Sequence, residues 1–241
     1  RDRLKNLKLA AVCLSCLTMT GCSALNFSVE GLINAPKLTS EQSEIHQALI
    51  ESVGSNITLK YPKNGEYRSA YVIANIDDEP TDEAMVFYEY TSNGSEEDGL
   101  RVNILDKDED GKWYSVKELA GAGTDIDQVI ISPMGSNNQT DVFVGYQNLT
   151  NDEKTMEIYS YTDGDFKRVA LDTYSVLEPL DINNDGYIEL ITIQRSTNND
   201  TGAVTAKASM LNMKNNEITR GENVDMCDNV TSYVSSKTGM L

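Results

Sequence analysis

The chain has 241 residues, 39% of them apolar, enough for one large domain or two small ones with a packed core. Its formal charge is −18; Arg1, Arg3, Lys5 and Lys8 against Asp2 give the first 21 residues +3, which leaves −21 on the remainder. A body this acidic repels phosphate backbones, which excludes nucleic acid as a partner and leaves weak cation binding open.

Residues 1–8, RDRLKNLK, are basic; LAAVCLSCLTM is apolar for about eleven residues; TGC follows. That order is the n-region, h-region and small-residue site of a secretory signal, and the apolar run falls short of the roughly 20 residues a bilayer requires. MTGC at 19–22 resembles the bacterial lipobox, in which the cysteine after a small residue is lipidated and becomes the mature N-terminus. The resemblance implies a signal peptide over 1–21, a lipid on Cys22, a tether over 22–38 and a membrane anchor on the extracytoplasmic face of a bacterial cell. Cys13 and Cys16 leave with the signal and Cys22 takes the lipid, so Cys227 stands alone and no intrachain disulfide is expected.

Residues 39–56 read as a helical segment. Thr39 can cap, Gln42 follows three residues later, and Gly54 can close the C-terminus. Ile45, Leu49 and Val53 form one apolar stripe, which predicts a helix over 40–53. His46, the single histidine of the chain, lies beside that stripe and is expected to be a partly exposed surface residue rather than a catalytic one.

From Ile57 the period changes to two and the sequence repeats. SAYVIANIDDEPTDEAMVFYEY (69–90) aligns with LEPLDINNDGYIELITIQR (177–195): Asn75 matches Asp181, Asp77 matches Asn183, Glu79 matches Asp185, and Glu83 matches Glu189. IISPMGSNNQTDVFVGYQ (130–147) is a degraded copy with about one inserted residue, Asp141 standing in place of the Glu. Hairpin patterns lie between the copies, and Trp113, Phe166 and Ile218 take equivalent places, 53 and 52 residues apart. A period near 50 with about four short strands per unit is the signature of a β-propeller blade. The expected fold is therefore all-β: about three and a half propeller-like blades over 57–241 after one short helix, the fourth breaking off within SYVSSKTGML as in a fragment of a longer protein.

Asp181-x-Asn183-x-Asp185-Gly186-x-x-Glu189-Leu190 resembles the FG-GAP/VCBS repeat of integrin-type propellers. The resemblance implies a structural Ca²⁺ held by Asp181, Asn183, Asp185, Glu189 and the carbonyl of Tyr187. Asn75, Asp77, Glu79 and Glu83 form a degenerate version, in which Pro80 replaces the glycine. An EF-hand opens in the same way but needs a Glu at position twelve, where this chain has Thr192. The oxygen-only donor set suits a hard cation. Asp106-x-Asp108-x-Asp110-Gly111 looks similar but sits where a hairpin turn is due, as does Asp163-Gly164-Asp165.

One histidine, placed in the leading helix, cannot build a Ser-His-Asp or Cys-His arrangement. No phosphate-cradling Gly loop occurs. The expected function is a non-catalytic surface lipoprotein whose propeller contacts a protein or glycan; the alternative is a glycan-active hydrolase or lyase on the same scaffold.

Overall fold

The structure, a computed structural model, describes residues 38–91, 99–135, 139–148, 153–197, 200–214, 217–221 and 224–228. The expected signal peptide, Cys22, nearly all of the tether and SYVSSKTGML lie outside the described residues. Residues from Ser40 onward belong to one compact unit.

Helix α1 spans Ser40–Val53 and buries Ile45, Ala48 and Leu49 along the predicted stripe. Gly54 closes it at φ +85, donating its N–H to the Ile50 carbonyl at 2.9 Å. A residue with a Cβ is strained in that left-handed conformation, so the glycine ends the helix there.

Fourteen strands follow among the described residues, in three antiparallel sheets. The first sheet holds β1 (Ile57–Leu59), β2 (Tyr71–Ala74), β3 (Glu83–Tyr90), β4 (Leu100–Lys107) and β5 (Trp113–Ala120). The second holds β6 (Asp125–Ser132), β7 (Asp141–Gln147), β8 (Lys154–Thr162) and β9 (Asp165–Tyr174). The third holds β10 (Val176–Leu180), β11 (Glu189–Thr197), β12 (Val204–Lys214), β13 (Glu217–Arg220) and β14 (Val224–Asp228).

Each sheet is an up-and-down meander four strands wide. In the first, β1 and β2 share one edge of β3 in tandem: Ile57–Leu59 faces Tyr90–Tyr88, and Tyr71–Ala74 faces Val86–Glu83. In the third, β13 and β14 share one edge of β12 in the same way.

The sheets pack face to face in chain order. Ala84, Val86, Tyr88, Leu105 and Trp113 of the first sheet meet α1, while Met85, Phe87, Val102 and Ile104 on its other face meet Val142, Val144, Tyr146 and Phe166 of the second. Phe143, Met156 and Ile158 on the far face of the second meet Leu177, Leu190, Leu211 and Met213 of the third. The inner strands β3 and β7 are thus covered on both sides and run as continuous apolar segments. Outer strand β5 keeps one wet face and alternates. Each large side chain buried in this way contributes about 1.5–3 kcal/mol. Trp113, Phe166 and Ile218 occupy matching places at the starts of β5, β9 and β13, each turned toward the preceding layer. The architecture is mostly β with one helix and three antiparallel sheets; the described strands do not close into a barrel or ring.

Candidate metal loops

Eight residues separate β2 from β3 (75–82), β6 from β7 (133–140, of which 136–138 lie outside the described residues) and β10 from β11 (181–188). The expected insertion in the second copy is therefore not in its loop. All three are closed by one clip. The carboxylate that starts the following strand (β3, β7 or β11) accepts the backbone N–H seven residues earlier: Glu83 Oε2 from Ile76 (2.8 Å), Asp141 Oδ2 from Met134 (3.0 Å), and Glu189 Oε2 from Ile182 (2.9 Å). Acid and amide recur as Ile76-x₆-Glu83, Met134-x₆-Asp141 and Ile182-x₆-Glu189, a spacing visible in the sequence but not singled out above.

The second carboxylate oxygen distinguishes the loops. Asp141 Oδ1 accepts the Ser160 hydroxyl, and Glu189 Oε1 accepts the Asn183 amide at 3.2 Å. Glu83 Oε1 has no partner, although the side chain is 1% exposed. Burial pushes the Glu83 carboxyl up to about 7; repulsion from Asp77 and Asp106 adds to this, and the Ile76 N–H opposes it. Burial also raises Asp141, against the pull of Ser160 and the loop amides.

In the loop 181–188 the side chains of Asn183, Asp185 and Glu189 are joined to one another by hydrogen bonds, while Asp181 is tied to the loop backbone. Asp181 accepts the N–H groups of Asp185 (3.1 Å) and Gly186 (3.0 Å). Asn183 Oδ1 accepts the Asp185 N–H at 2.9 Å, and Asp185 Oδ1 accepts that of Tyr187 at 2.9 Å. The Asn183 amide nitrogen donates to both Asp185 Oδ2 (2.9 Å) and Glu189 Oε1. Gly186 takes φ +89 and makes the sharp bend; Asn184, at φ +58, makes a second one. The donors match a hard cation in kind, all oxygen and mostly anionic. Two of the carboxylates meet at an amide NH₂, a site where positive charge is demanded. Yet among the described residues no three His, Cys, Asp or Glu side chains form a ready metal cluster.

The loop 75–82 is tied with the opposite polarity. Asn75 donates to the carbonyls of Glu79 (2.6 Å) and Thr81 (3.0 Å), which occupies main-chain oxygens a cation would need. Asp77 accepts the Glu79 N–H at 2.8 Å in an Asx turn. Pro80 holds φ near −65°, so this backbone cannot follow the left-handed turn at Gly186. Asn75, Asp77 and Glu79 therefore fit a metal poorly, and Glu83 serves as the clip.

Asp106–Gly111 forms the expected hairpin turn. Asp108 accepts the N–H groups of Asp110 (3.0 Å) and Lys112 (2.8 Å), and Gly111 sits at φ +78. Asp163 (φ 54) and Gly164 (φ 76) make a two-residue turn between Thr162 and Asp165. His46 is half-buried, in keeping with a partly exposed surface residue, its Nδ1 bonded to the Tyr71 hydroxyl at 2.8 Å.

The three loops lie at one end of the stacked sheets, where Ile188 donates to the Pro133 carbonyl at 2.9 Å. The β4–β5 and β8–β9 turns share that end, and Tyr161 there is raised by burial first and then by Asp78, Asp77, Glu79 and Asp106. Comparison of the chain with protein-family models, with curated proteins and with solved structures finds no match.

Proposed function

We propose that the three sheets are propeller-like blades of an extracytoplasmic lipoprotein that binds or scaffolds a protein or glycan without catalysis. The observation that carries the blade reading is the clip. One carboxylate, at one place in each meander, closes a loop of one length on one end of the fold. Repeated loops on a common end are where such scaffolds present binding residues. The basic, apolar and TGC order of residues 1–22 supports the anchor at Cys22. In this reading the loop 181–188 takes a structural Ca²⁺, for which Asn183 would turn its oxygen toward Asp185 and Glu189.

The hydrolase reading draws on Glu83, whose carboxyl is pushed up to about 7, but that side chain is buried and already holds the Ile76 N–H. The test of the proposal is fractionation of cells carrying Cys22→Ala. The protein should leave the membrane fraction and lose labelling by a fatty-acid probe. Unchanged membrane attachment would overturn the lipoprotein reading.

A further inference from the structure

The face of the third sheet that points away from the second repeats, in register, the faces buried between the sheets. Ile191 and Ile193 stand two and four residues beyond the clip carboxylate Glu189, as Met85 and Phe87 do beyond Glu83, and Phe143 and Gly145 beyond Asp141. Met210 pairs with Ile191 as Ile104 does with Met85 and Ile158 with Phe143. Those counterparts in the first two sheets are buried against the next layer.

Burial divides this face into two ends. Ile193 and Ala206, remote from the loops, are each 3% exposed. The apolar side chains packed with them, Val176, Val204 and Ala208, all belong to the same sheet. Neighbours in the plane of a sheet do not screen a side chain that stands out of it, so this burial requires a layer above. At the loop end Leu180, Ile182 and Met210 are 41%, 49% and 38% exposed. A further four-stranded sheet or a second copy of the chain would cover both ends, whereas a short segment covers one.

The chain has such a segment at the right place. β14 ends at Asp228, paired with Thr205 and so next to Ala206. Residues 229–234, NVTSYV, follow it and lie outside the described residues. Six residues span at most about 20 Å, and β11 lies two strand spacings from β14, about 10 Å. The earlier junctions set the pattern. After β5, Ile126 and Val129 pack on the first sheet; at the end of β9 and the start of β10, Tyr174 and Leu177 pack on the second. The members of each pair are three residues apart, and Val230 and Tyr233 repeat that spacing as the first two apolar residues after β14. Tyr174 stands over Gly145, whose place in the third sheet Ile193 takes, while Val230 takes that of Tyr174. A larger residue below thus meets a smaller one above.

We propose that residues 229–234 close over the third sheet, with Val230 on Ile193 and Tyr233 beside it. This contact deepens the blade reading above and rests on it, but it needs neither the lipid nor the calcium ion.

The test is a size exchange in the full chain, read by urea unfolding, together with the δ1-methyl resonance of Ile193. Val230→Phe overpacks the contact and should lower the urea midpoint. Ile193→Ala leaves a cavity and should lower it as well. The two combined should recover at least half of the loss caused by Ile193→Ala alone, because the ring fills the space. Tyr233→Leu, a milder change, should shift the Ile193 methyl resonance by removing the ring beside it and should leave the Ile182 methyl in place. Additive losses in the exchange overturn the proposal, and so does an Ile193 methyl that ignores Tyr233→Leu. An Ile193 resonance that moves with protein concentration, in step with dimer formation by sedimentation, assigns the face to a second copy and overturns it too. None of these outcomes touches membrane attachment or the calcium-dependent melt, so failure here is distinguishable from failure of the function proposed above.

Discussion

The hydroxyl of Tyr174 occupies the space that a Cβ on Gly145 would fill. Tyr174, at the end of β9, crosses β8 and β7 to donate to Asp127 Oδ2 on β6 at 2.7 Å. Asp127 is itself buried, and its other oxygen accepts the Asn64 amide and the Lys154 ammonium, each at 2.8 Å. A bare Cα at position 145 is therefore what allows one carboxylate to join three strands of the second sheet to a loop of the first.

Gly145→Ala should destabilise the domain by about 1–3 kcal/mol through overpacking against a ring that cannot retreat. Tyr174→Phe should cost about 1.5–3 kcal/mol by removing a hydrogen bond to a charged group. In the double variant the added methyl meets no hydroxyl, so the two costs should fall short of additive. Urea unfolding of the four proteins measures the coupling. Strict additivity would refute the contact.

Glu83 makes stability depend on pH in a stated direction. Its folded value is raised from the ordinary 4.5 to about 7, so the protonated form is the one that folding favours. The contribution is fully present below about 4.5 and is lost as pH rises through about 7, a difference of up to about 3 kcal/mol. Glu83→Gln keeps the clip to the Ile76 N–H and cannot ionise. Its stability advantage over the parent should therefore grow between those two pH values. Melting curves that run parallel for the two proteins across that window would count against an orphaned oxygen.

Calcium should raise the melting temperature and chelator should lower it, with Asp181→Ala/Asp185→Ala abolishing the difference. Both residues also accept backbone N–H groups in the loop, so the double variant should melt lower even in chelator. The calcium-dependent increment is the quantity that reports the ion. Identical melts of the parent in both buffers would leave the loop as hydrogen-bonded structure alone.

Asn103 is fully buried on β4 with neither amide atom paired. An unpaired buried amide costs more than an apolar side chain of similar size. Asn103→Leu should accordingly raise stability by about 1–2 kcal/mol in denaturant unfolding. A loss of that size would mean that the amide has partners.

Much of this fold was legible in the sequence because its signals are local. The helix predicted over 40–53 spans Ser40–Val53, since its stripe and its closing glycine sit within a few turns. The loops at 75 and 181 fall between paired strands, β2 and β3 in one case and β10 and β11 in the other, because period-two segments flank both. Trp113, Phe166 and Ile218 proved equivalent in place because each stands at the start of the strand that pairs back onto β4, β8 or β12. What stayed hidden was decided by partners distant in the chain or lacking a side-chain signal. The clip's acceptors were aligned as metal ligands, while its donors are backbone N–H groups that no residue type advertises. Asp127, Gly145 and Tyr174 come together only once the sheet has paired. Tandem pairing of β1 and β2 on one edge was equally invisible, since each strand reads as ordinary by itself.

That tandem edge bears on the order of assembly. Between β1 and β2 the chain leaves its own sheet. There Lys63 donates to Asp125 at 2.9 Å, Asn64 donates to Asp127, and the N–H groups of Lys63 and Asn64 reach the carbonyls of Ile126 and Asp127. These partners are made some 60 residues later, after the rest of the first meander has emerged. A nascent chain can pair β3, β4 and β5 by short hairpin steps, but the excursion has nothing to grip until β6 exists. The earliest of the described sheets thus waits for the next before it is finished.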